Sequence, residues 1–319
     1  MLTHRFVPFI ATFIVGVLAA LQARINGQLS TVVGNSFEAA VFSFGSGLAV
    51  LTVLMVFVPS IRRGVVRVPA AIRSGELAWW QVLGGVLGGF VVAVQAAAVP
   101  VIGVALFMVA LVAGLSTNSL LVDRAGLGPA GRQPITGRRI VSAIVAVAAV
   151  GLVVANRVGG DVPLVAVVFA VVGGSLLAVQ QAINGRVARA TRSPMSATFL
   201  NFMFGTAALV AVFGASWAFA GHDPAPLPNG PWWIYLGGVI GIAYVAIASW
   251  VVPMVGVLLF ALLSIAGQLC GAVLLDLVAP TSGTVLGWNL FAGVLLAFVA
   301  VAIGARRGSA TAPMRESTP

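Results

Sequence analysis

The sequence is short of the residues that give a soluble protein its surface. It has no lysine, two histidines, one cysteine and seven acidic residues, and charged residues make up 8% of the chain. So few charges exclude a soluble globular domain, whose surface needs them. The single cysteine, Cys270, excludes an intrachain disulfide, and we expect it to be a small residue of the core.

The scarcity of histidine, cysteine and acid also argues against catalysis. Metal sites and nucleophilic mechanisms require clusters of such residues. The two histidines, His4 and His222, lie far apart in the chain, and neither has a cysteine or acidic cluster around it. We therefore expect no enzyme activity, no metal site and no cofactor.

Apolar runs dominate what is present. Hydrophobic residues make up 60% of the chain, and runs of 18 or more recur along it, as in membrane-spanning helices. The runs predict an all-α, polytopic membrane protein of ten transmembrane helices. The first five are predicted at 6–28, 37–58, 79–98, 100–122 and 139–156, and the second five at 163–185, 195–219, 231–251, 253–275 and 286–305. Pro100 and Pro253 are expected to begin the fourth and ninth helices, because proline suits a first turn.

The positive charge consists entirely of 17 arginines, which lie between the apolar runs. This placement argues against nucleic-acid binding and indicates membrane orientation instead. If the chain crosses the membrane at each run, 15 arginines fall on the side of the N-terminus and two, Arg24 and Arg157, on the other. Because positive loops stay in the cytoplasm, we predict that both termini are cytoplasmic.

The two halves of the chain repeat one another. Gln22, Asn26 and Gly27 return 158 residues later as Gln180, Asn184 and Gly185. Further matches at offsets of 158 and 153 include Gly16 with Gly174, Phe44 with Phe202, Gly84 with Gly237, Gly88 with Gly241, and Asp123 with Asp276. We predict one five-helix repeat over 1–157, a second over 158–305, and a disordered cytoplasmic tail over 306–319.

An odd number of helices in each repeat has a topological consequence. The second copy must enter the membrane from the opposite side, which predicts an inverted 5+5 repeat. Such repeats are typical of secondary transporters, in which exchanging the conformations of the two halves alternates access to a central site.

The pattern Gln-x-x-x-Asn-Gly in the first helix, a glycine-containing second helix and an aspartate closing the fourth, present in both halves, resembles the YdcZ-like, EamA-related branch of the drug/metabolite transporter superfamily. The resemblance covers about Phe6 to Gly304. It implies a carrier of the bacterial plasma (inner) membrane, an exporter with a basket of ten helices, and no particular substrate. The chain lacks the glutamate that small multidrug exporters carry in the first helix, where it reads Val15-Gly16-Val17.

Polar side chains inside the apolar runs are candidates for a substrate path. Amides within a membrane are costly unless hydrogen-bonded, and they often tie helices together. For Asn-Gly the alternative is a helix C-cap, and for Gln a tie between helices. The candidates are Gln22, Asn26, Gln95, Gln180, Asn184, Tyr244, Ser264 and Gln268. Since no charge is expected at the midplane, a neutral, zwitterionic or largely apolar metabolite or drug is favoured.

Five charged residues are candidates for gating or coupling. Asp276 with Arg24, and Asp123 with Arg186, would form interhelical latches on opposite membrane faces, unless these residues are only solvated helix ends. Glu38, at the start of the second helix, is the candidate for proton coupling; its alternative role is to complement the positive helix end.

The function predicted from these features is transport by alternating access. The alternative is a non-transporting membrane scaffold or a lipid-binding protein. The partners expected are a small-molecule substrate and the lipid bilayer, with a homodimer left open.

Overall fold

The computed structural model describes residues 3–129, 131–155, 163–220, 230–255 and 257–305, and within these ranges it is helical, without a β-strand. The α-helices there are α1 Thr3–Val33, α2 Ser36–Phe57, α3 Pro59–Arg73, α4 Gly84–Ile102, α5 Val104–Ala125, α6 Gly137–Ala155, α7 Leu164–Thr191, α8 Pro194–Ala220, α9 Gly237–Val255, α10 Val257–Val278 and α11 Trp288–Ala305. Short 3-10 turns, Trp79–Leu83 and Trp232–Tyr235, precede α4 and α9. The predicted tail, like Arg157 and His222, lies outside the described residues.

The predicted all-α, polytopic membrane class is confirmed. Among the described residues, eight helices are long and apolar enough to cross a membrane, and the shorter apolar helices α9 and α11 account for the other two predicted spans. Large apolar side chains such as Phe57 and Leu295 are exposed on the outside of the bundle. Such a surface suits lipid, because lipid tails are as apolar as the side chains themselves.

The helices that carry the Asn-Gly elements are longer than predicted. Helix α1 continues past Asn26-Gly27 to Val33, and α7 continues past Asn184-Gly185 to Thr191. The C-cap interpretation of Asn-Gly is therefore wrong, because each helix continues for about two turns beyond its asparagine. Gly27 serves close packing instead, since a Cβ there would lie 3.0 Å from the side chain of Val99.

The connection between α4 and α5 is a single residue. Gly103 has φ of 81°, a conformation that only glycine adopts readily, and α5 begins at Val104. The two helices therefore form a tight hairpin. Pro100 lies in the last turn of α4, however, and not in the first turn of the next helix as predicted. The corresponding Pro253 likewise lies inside α9.

Helix α3 was not predicted. Its buried residues, Ile61, Gly64, Val68 and Ala71, are spaced three and four residues apart, which is the pattern of an amphipathic helix. The other faces carry four arginines. The four arginines and Pro69 obscured this pattern in a segment interpreted as a loop.

Glycines at the helix crossings show how the two halves pack. A Cβ at Gly16 of α1 would overlap the backbone oxygen of Ser264 in α10, and a Cβ at Gly174 of α7 would overlap that of Leu111 in α5. Gly16 matches Gly174 at offset 158, and Leu111 matches Ser264 at offset 153. One crossing is therefore the counterpart of the other.

The same exchange relates α2 and α8. Gly47 of α2 packs against the Phe202 ring of α8, and Gly205 of α8 packs against the Phe44 ring of α2. Replacing each residue of the first contact by its repeat counterpart gives the second contact, as expected for two copies related by a twofold axis. The division at residue 157 remains a prediction, and this pattern supports it.

Helix α5 is buried over its first 11 residues, 104–114. Helices α6 and α11 pack against each other and against α5 at the edge of the bundle. This arrangement leaves the first four membrane helices of each half to surround the centre.

Candidate functional site

A cavity of about 240 Å³ lies between the two halves. The described residues that line it come from the first four membrane helices of each half, and none comes from α6 or α11. Nine of them carry uncharged hydrogen-bonding side chains: Gln22, Gln95, Gln180, Gln181, Asn184, Thr198, Asn201, Tyr244 and Gln268. The second helix of each half contributes to the lining through Phe44 of α2 and Thr198, Asn201 and Phe202 of α8.

The structure brings the predicted substrate-path residues together. Gln22, Gln95, Gln180, Asn184, Tyr244 and Gln268 line the cavity directly. The other two lie immediately behind this lining, because Asn26 bonds to Gln95 and Ser264 is hydrogen-bonded to the Tyr244 hydroxyl. Residues distant in sequence thus form one polar cluster in an apolar bundle.

Asn26 and Gln95 close one end of the cavity. The Nδ2 atom of Asn26 donates to Oε1 of Gln95 at 3.0 Å, and both side chains are buried. This bond links α1 to α4 at the end where α1 terminates. Since an amide oxygen has two lone pairs, Gln95 retains both acceptor and donor capacity beside the cavity.

The end occupied by Asn26 is tightly packed. Its Oδ1 atom and the Ser43 hydroxyl are both buried, and neither has a hydrogen-bond partner among the described residues. Both oxygens lie against Gly237 of α9, where a Cβ would overlap them. Only glycine therefore allows α9 to approach α1 and α2 this closely.

The opposite end of the cavity is more open. The Nδ2 atom of Asn201 donates to Oδ1 of Asn184 at 3.3 Å, and Asn184 is partly exposed. Gly84 packs against this pair as Gly237 packs against Asn26. The lining also includes the exposed Gln181 here, so the cavity extends toward the ends of α7 and α8 that meet at residue 193.

Two glutamines rest on glycines across the cavity. A Cβ at Gly88 of α4 would overlap the amide of Gln180, and one at Gly241 of α9 would lie 2.9 Å from Nε2 of Gln22. The glycines therefore let α4 and α9 approach the amides of the other half. Packing and polar lining are thus two roles of the same glycine-amide contacts.

Sequence reasoning missed the aromatic pair at the centre. Phe44 and Phe202 stack with ring centroids 4.9 Å apart and planes at 30°. They occupy matching positions in the repeat, so each half contributes one ring to the interface. Their spacing of 158 residues, which is the repeat offset, could have identified the pair. The same offset relates Gly47 and Gly205, against which the rings pack.

The predicted latch between Asp276 and Arg24 takes a different form. The Asp276 carboxylate is buried and accepts the backbone N–H groups of Val104 at 3.0 Å and Ala105 at 2.8 Å, with Thr284 also donating to it. Arg24 interacts with it electrostatically, but these two described side chains form no direct ion pair. The first turn of α5 has free N–H groups and a positive end, and it therefore satisfies the carboxylate directly.

The predicted pair of Asp123 and Arg186 is not formed in this structure. Asp123 pairs with Arg139 of α6, while Arg186 donates to the carbonyl oxygens of Gly126 at 2.6 Å and Gly128 at 3.3 Å. These carbonyls follow the C-terminal end of α5, where a cation is favoured. Charged residues of the second half therefore hold both ends of α5.

Glu38 lies in the first turn of α2 and is buried. The Asn35 side chain caps this turn by accepting the backbone N–H groups of Phe37 and Glu38. A carboxylate at this position complements the positive helix end. Glu38 does not line the cavity.

Cys270, by contrast, is exposed on the outside of α10, so its expected place in the core was wrong. A small, weakly polar thiol is tolerated on an apolar surface. Among the described residues no group of three His, Cys, Asp or Glu side chains could hold a metal.

A polytopic bundle of apolar helices around a polar but uncharged cavity defines a class, the membrane transporters. Comparison with known families agrees. The model of the drug/metabolite transporter family described as "Putative inner membrane exporter, YdcZ" matches residues 7–152 and 165–303, and the chain belongs to this family. The gap between the two matched segments contains the predicted repeat boundary. No curated protein and no solved structure matches the chain.

Proposed function

We propose that the protein is a secondary exporter of the inner membrane that moves a small, uncharged or zwitterionic solute through the amide-lined cavity by alternating access. The observation that carries this proposal is the lining itself, in which nine hydrogen-bonding side chains without formal charge converge between the two halves. Membership of an exporter family supports the direction of transport.

The lining favours a particular class of substrate. No Asp, Glu, Arg or His is among the described residues of the wall. A permanently charged solute in such a place would lack a counter-ion, and leaving water would then be very costly. The amides offer both donors and acceptors, while Phe44, Met108 and Leu111 offer apolar surface. Neutral, zwitterionic and largely apolar metabolites or drugs all fit this environment.

The volume of the cavity limits the size of the substrate. The cavity measures about 240 Å³. Drug-sized ligands usually occupy cavities of roughly 300–1,000 Å³. A small metabolite therefore fits this conformation better than a large drug.

Alternating access would exchange the conformations of the two ends. In this structure the end at Asn26 is closed and the end at Asn184 is more open. From the arginine distribution we propose that the open end faces the cytoplasm, together with both termini. The counterpart conformation would close Asn184 and open Asn26, and the matched glycine contacts support such an exchange.

The charged residues have proposed roles in this cycle. Asp276 would hold α10 on α5 while the Asn26 end is closed, with Arg24 balancing its charge. Arg186 and Asp123 would act at the other end of α5. Glu38 is the proposed proton-coupling residue, so the variant Glu38→Gln should lose the stimulation of flux by a proton gradient.

Transport assays in proteoliposomes test the function. Purified protein is tested for uptake and efflux of a panel of neutral, zwitterionic and charged metabolites, with and without a proton gradient. We expect saturable flux of an uncharged or zwitterionic solute. A scaffold or lipid-binding protein, the alternative function, would move none of them, and this result would overturn the proposal.

The variant Gln180→Leu connects flux to the cavity. Losing one hydrogen bond to the substrate should lower the transport efficiency about tenfold, since a factor of ten corresponds to about 1.4 kcal/mol. The matched control is Gln28→Leu in α1, which makes the same change outside the lining. Equal flux in the two variants would contradict a substrate path through the cavity.

A further inference from the structure

A positively charged surface lies where α3 packs beside the junction of α7 and α8. Five arginines form it, and we call them the arginine surface: Arg62, Arg63, Arg67 and Arg73 of α3, with Arg192 at the end of α7. All five are exposed. Nothing in the cavity or in the proposed transport cycle requires this surface.

Carboxylates do not neutralise the arginine surface. Arg63 and Arg73 donate to carbonyl oxygens one turn earlier in α3, at 3.3 Å each, and Arg67 donates to the carbonyl oxygen of Thr191 at 3.3 Å. Within the described part of the chain, the guanidinium groups of Arg62 and Arg192 form no hydrogen bond or ion pair. Guanidinium groups bonded only to carbonyls keep their full charge and retain spare N–H donors.

Helix α3 holds these arginines in fixed positions. The Ser196 hydroxyl, buried at the start of α8, lies within hydrogen-bonding distance of the carbonyl oxygens of Ile61 at 3.0 Å and Ser60 at 3.2 Å. Gly64 allows this approach, because a Cβ there would overlap Ser196. The arginine surface is therefore a rigid part of the α7–α8 end and not a loosely attached loop.

The position of α3 at the membrane indicates which kind of anion binds the arginine surface. Helix α3 follows the membrane helix α2 after one residue, Val58, and Trp79 and Trp80 at the start of the next span are exposed. Tryptophans in this position mark the headgroup level of a bilayer. Nucleic acid or a soluble acidic protein could meet these arginines only at this lipid interface.

We propose that the arginine surface binds the phosphate groups of anionic phospholipid headgroups. Arginine forks match phosphate geometry, and clusters of four to eight basic residues next to a membrane helix are typical of anionic-lipid binding. Because α3 is bonded to the start of α8, bound lipid also stabilises the helix end that carries Thr198 and Asn201 of the cavity wall.

Lipid binding to the full-length protein tests this inference. The protein is placed in phosphatidylcholine nanodiscs with and without phosphatidylglycerol, and retained lipid is counted by native mass spectrometry alongside the thermal unfolding midpoint. We expect phosphatidylglycerol to be enriched around the protein and to raise the midpoint.

The variant R62Q/R63Q/R73Q should lose this preference. Each arginine near an anionic surface contributes about a fivefold factor in affinity, so the loss of three should weaken phosphatidylglycerol binding about a hundredfold. The matched control is R124Q/R132Q/R138Q, which removes the same charge from the end of α5, the connection after it and the start of α6. It should keep the preference, as should R62K/R63K/R73K.

Two results would overturn the inference. One is an equal loss in both glutamine triples, which would mean that total charge alone attracts the lipid. The other is no loss in either. If R62Q/R63Q/R73Q does not fold, the single variant R62Q replaces it, since the Arg62 guanidinium forms no hydrogen bond or ion pair within the described chain. An unchanged lipid preference in R62Q would again contradict the proposal.

Discussion

The two asparagines that mark the repeat occupy opposite environments. Asn26 is fully buried and bonded to Gln95, whereas Asn184 is partly exposed, lines the cavity and is bonded to Asn201. The difference originates in the sequence. Gln95 corresponds to Ala248 at offset 153, and Asn201 corresponds to Ser43 at offset 158. The two ends therefore use different hydrogen bonds around the same residue.

The helix crossings between the halves show no such difference. Gly16 and Gly174 meet matching backbone oxygens, as do Gly114 and Gly267. Glycine packing is thus common to both halves, while the polar contacts differ between the two ends of the cavity. This division fits the proposed exchange of two conformations, in which each end would close through its own set of contacts.

The largest difference in unfolding free energy is expected between Asp276→Ala and Asp123→Ala. Removing the buried Asp276 leaves two backbone N–H groups of α5 without their acceptor, which should cost about 3 kcal/mol of unfolding free energy. Asp123 forms a partly exposed ion pair, whose loss costs about 1 kcal/mol or less. Thermal unfolding in detergent measures both, and equal losses would contradict the difference between the two ends of α5.

Substitution at the shared crossings should affect both halves alike. Gly16→Val and Gly174→Val each force a side chain into a backbone oxygen, so each should cost about 2 kcal/mol. Gly45→Val and Gly151→Val are the controls, because no atom lies within 4 Å of a Cβ at either position. Unfolding midpoints that fall for only one of the two crossings would argue against matched packing.

The variant Asn201→Ser gives the open end the residue found at the closed end. It removes the 3.3 Å bond to Asn184, and we expect a loss of about 1 kcal/mol in unfolding free energy. The reduced polarity of the wall should also weaken substrate binding. If stability and transport both stay unchanged, the Asn184–Asn201 contact does not define this end.

The smallest effect is expected at Cys270. Because its side chain is exposed on the outside of α10, Cys270→Ala should change the unfolding free energy by less than about 0.5 kcal/mol. A large drop in the unfolding midpoint would mean that α10 packs differently. A neutral result also provides a cysteine-free background for labelling.

Much of the framework could be predicted from the sequence, because apolar runs and repeated glycines report on bilayer crossing and close packing. The amides could be recognised for the same reason, since Gln and Asn are costly in a membrane and rarely occur there without a partner. Their partners could not be predicted. Asn26 bonds to Gln95 across 69 residues, and only the assembled bundle brings the two together.

The charged residues show a second limit of sequence reasoning. Pairing Asp276 with an arginine assumed that charge seeks charge, but the free N–H groups of α5 satisfied the carboxylate instead. Every residue has the same backbone groups, so the sequence does not show which N–H groups will bind a carboxylate. The length of α1 was underestimated for a related reason, because Asn-Gly serves as a helix end in many proteins but as a packing site here.

Accessibility of the two asparagine positions tests the central claim most directly. Asn26→Cys and Asn184→Cys are made separately on the Cys270→Ala background, and a membrane-impermeant maleimide is applied from each side in oriented vesicles. We predict that the thiol at position 184 reacts from the cytoplasmic side. The thiol at position 26 should be protected there and react only from the opposite side, in the conformation that opens the Asn26 end. Reaction of both thiols from the same side would contradict an inverted pair of halves around one cavity.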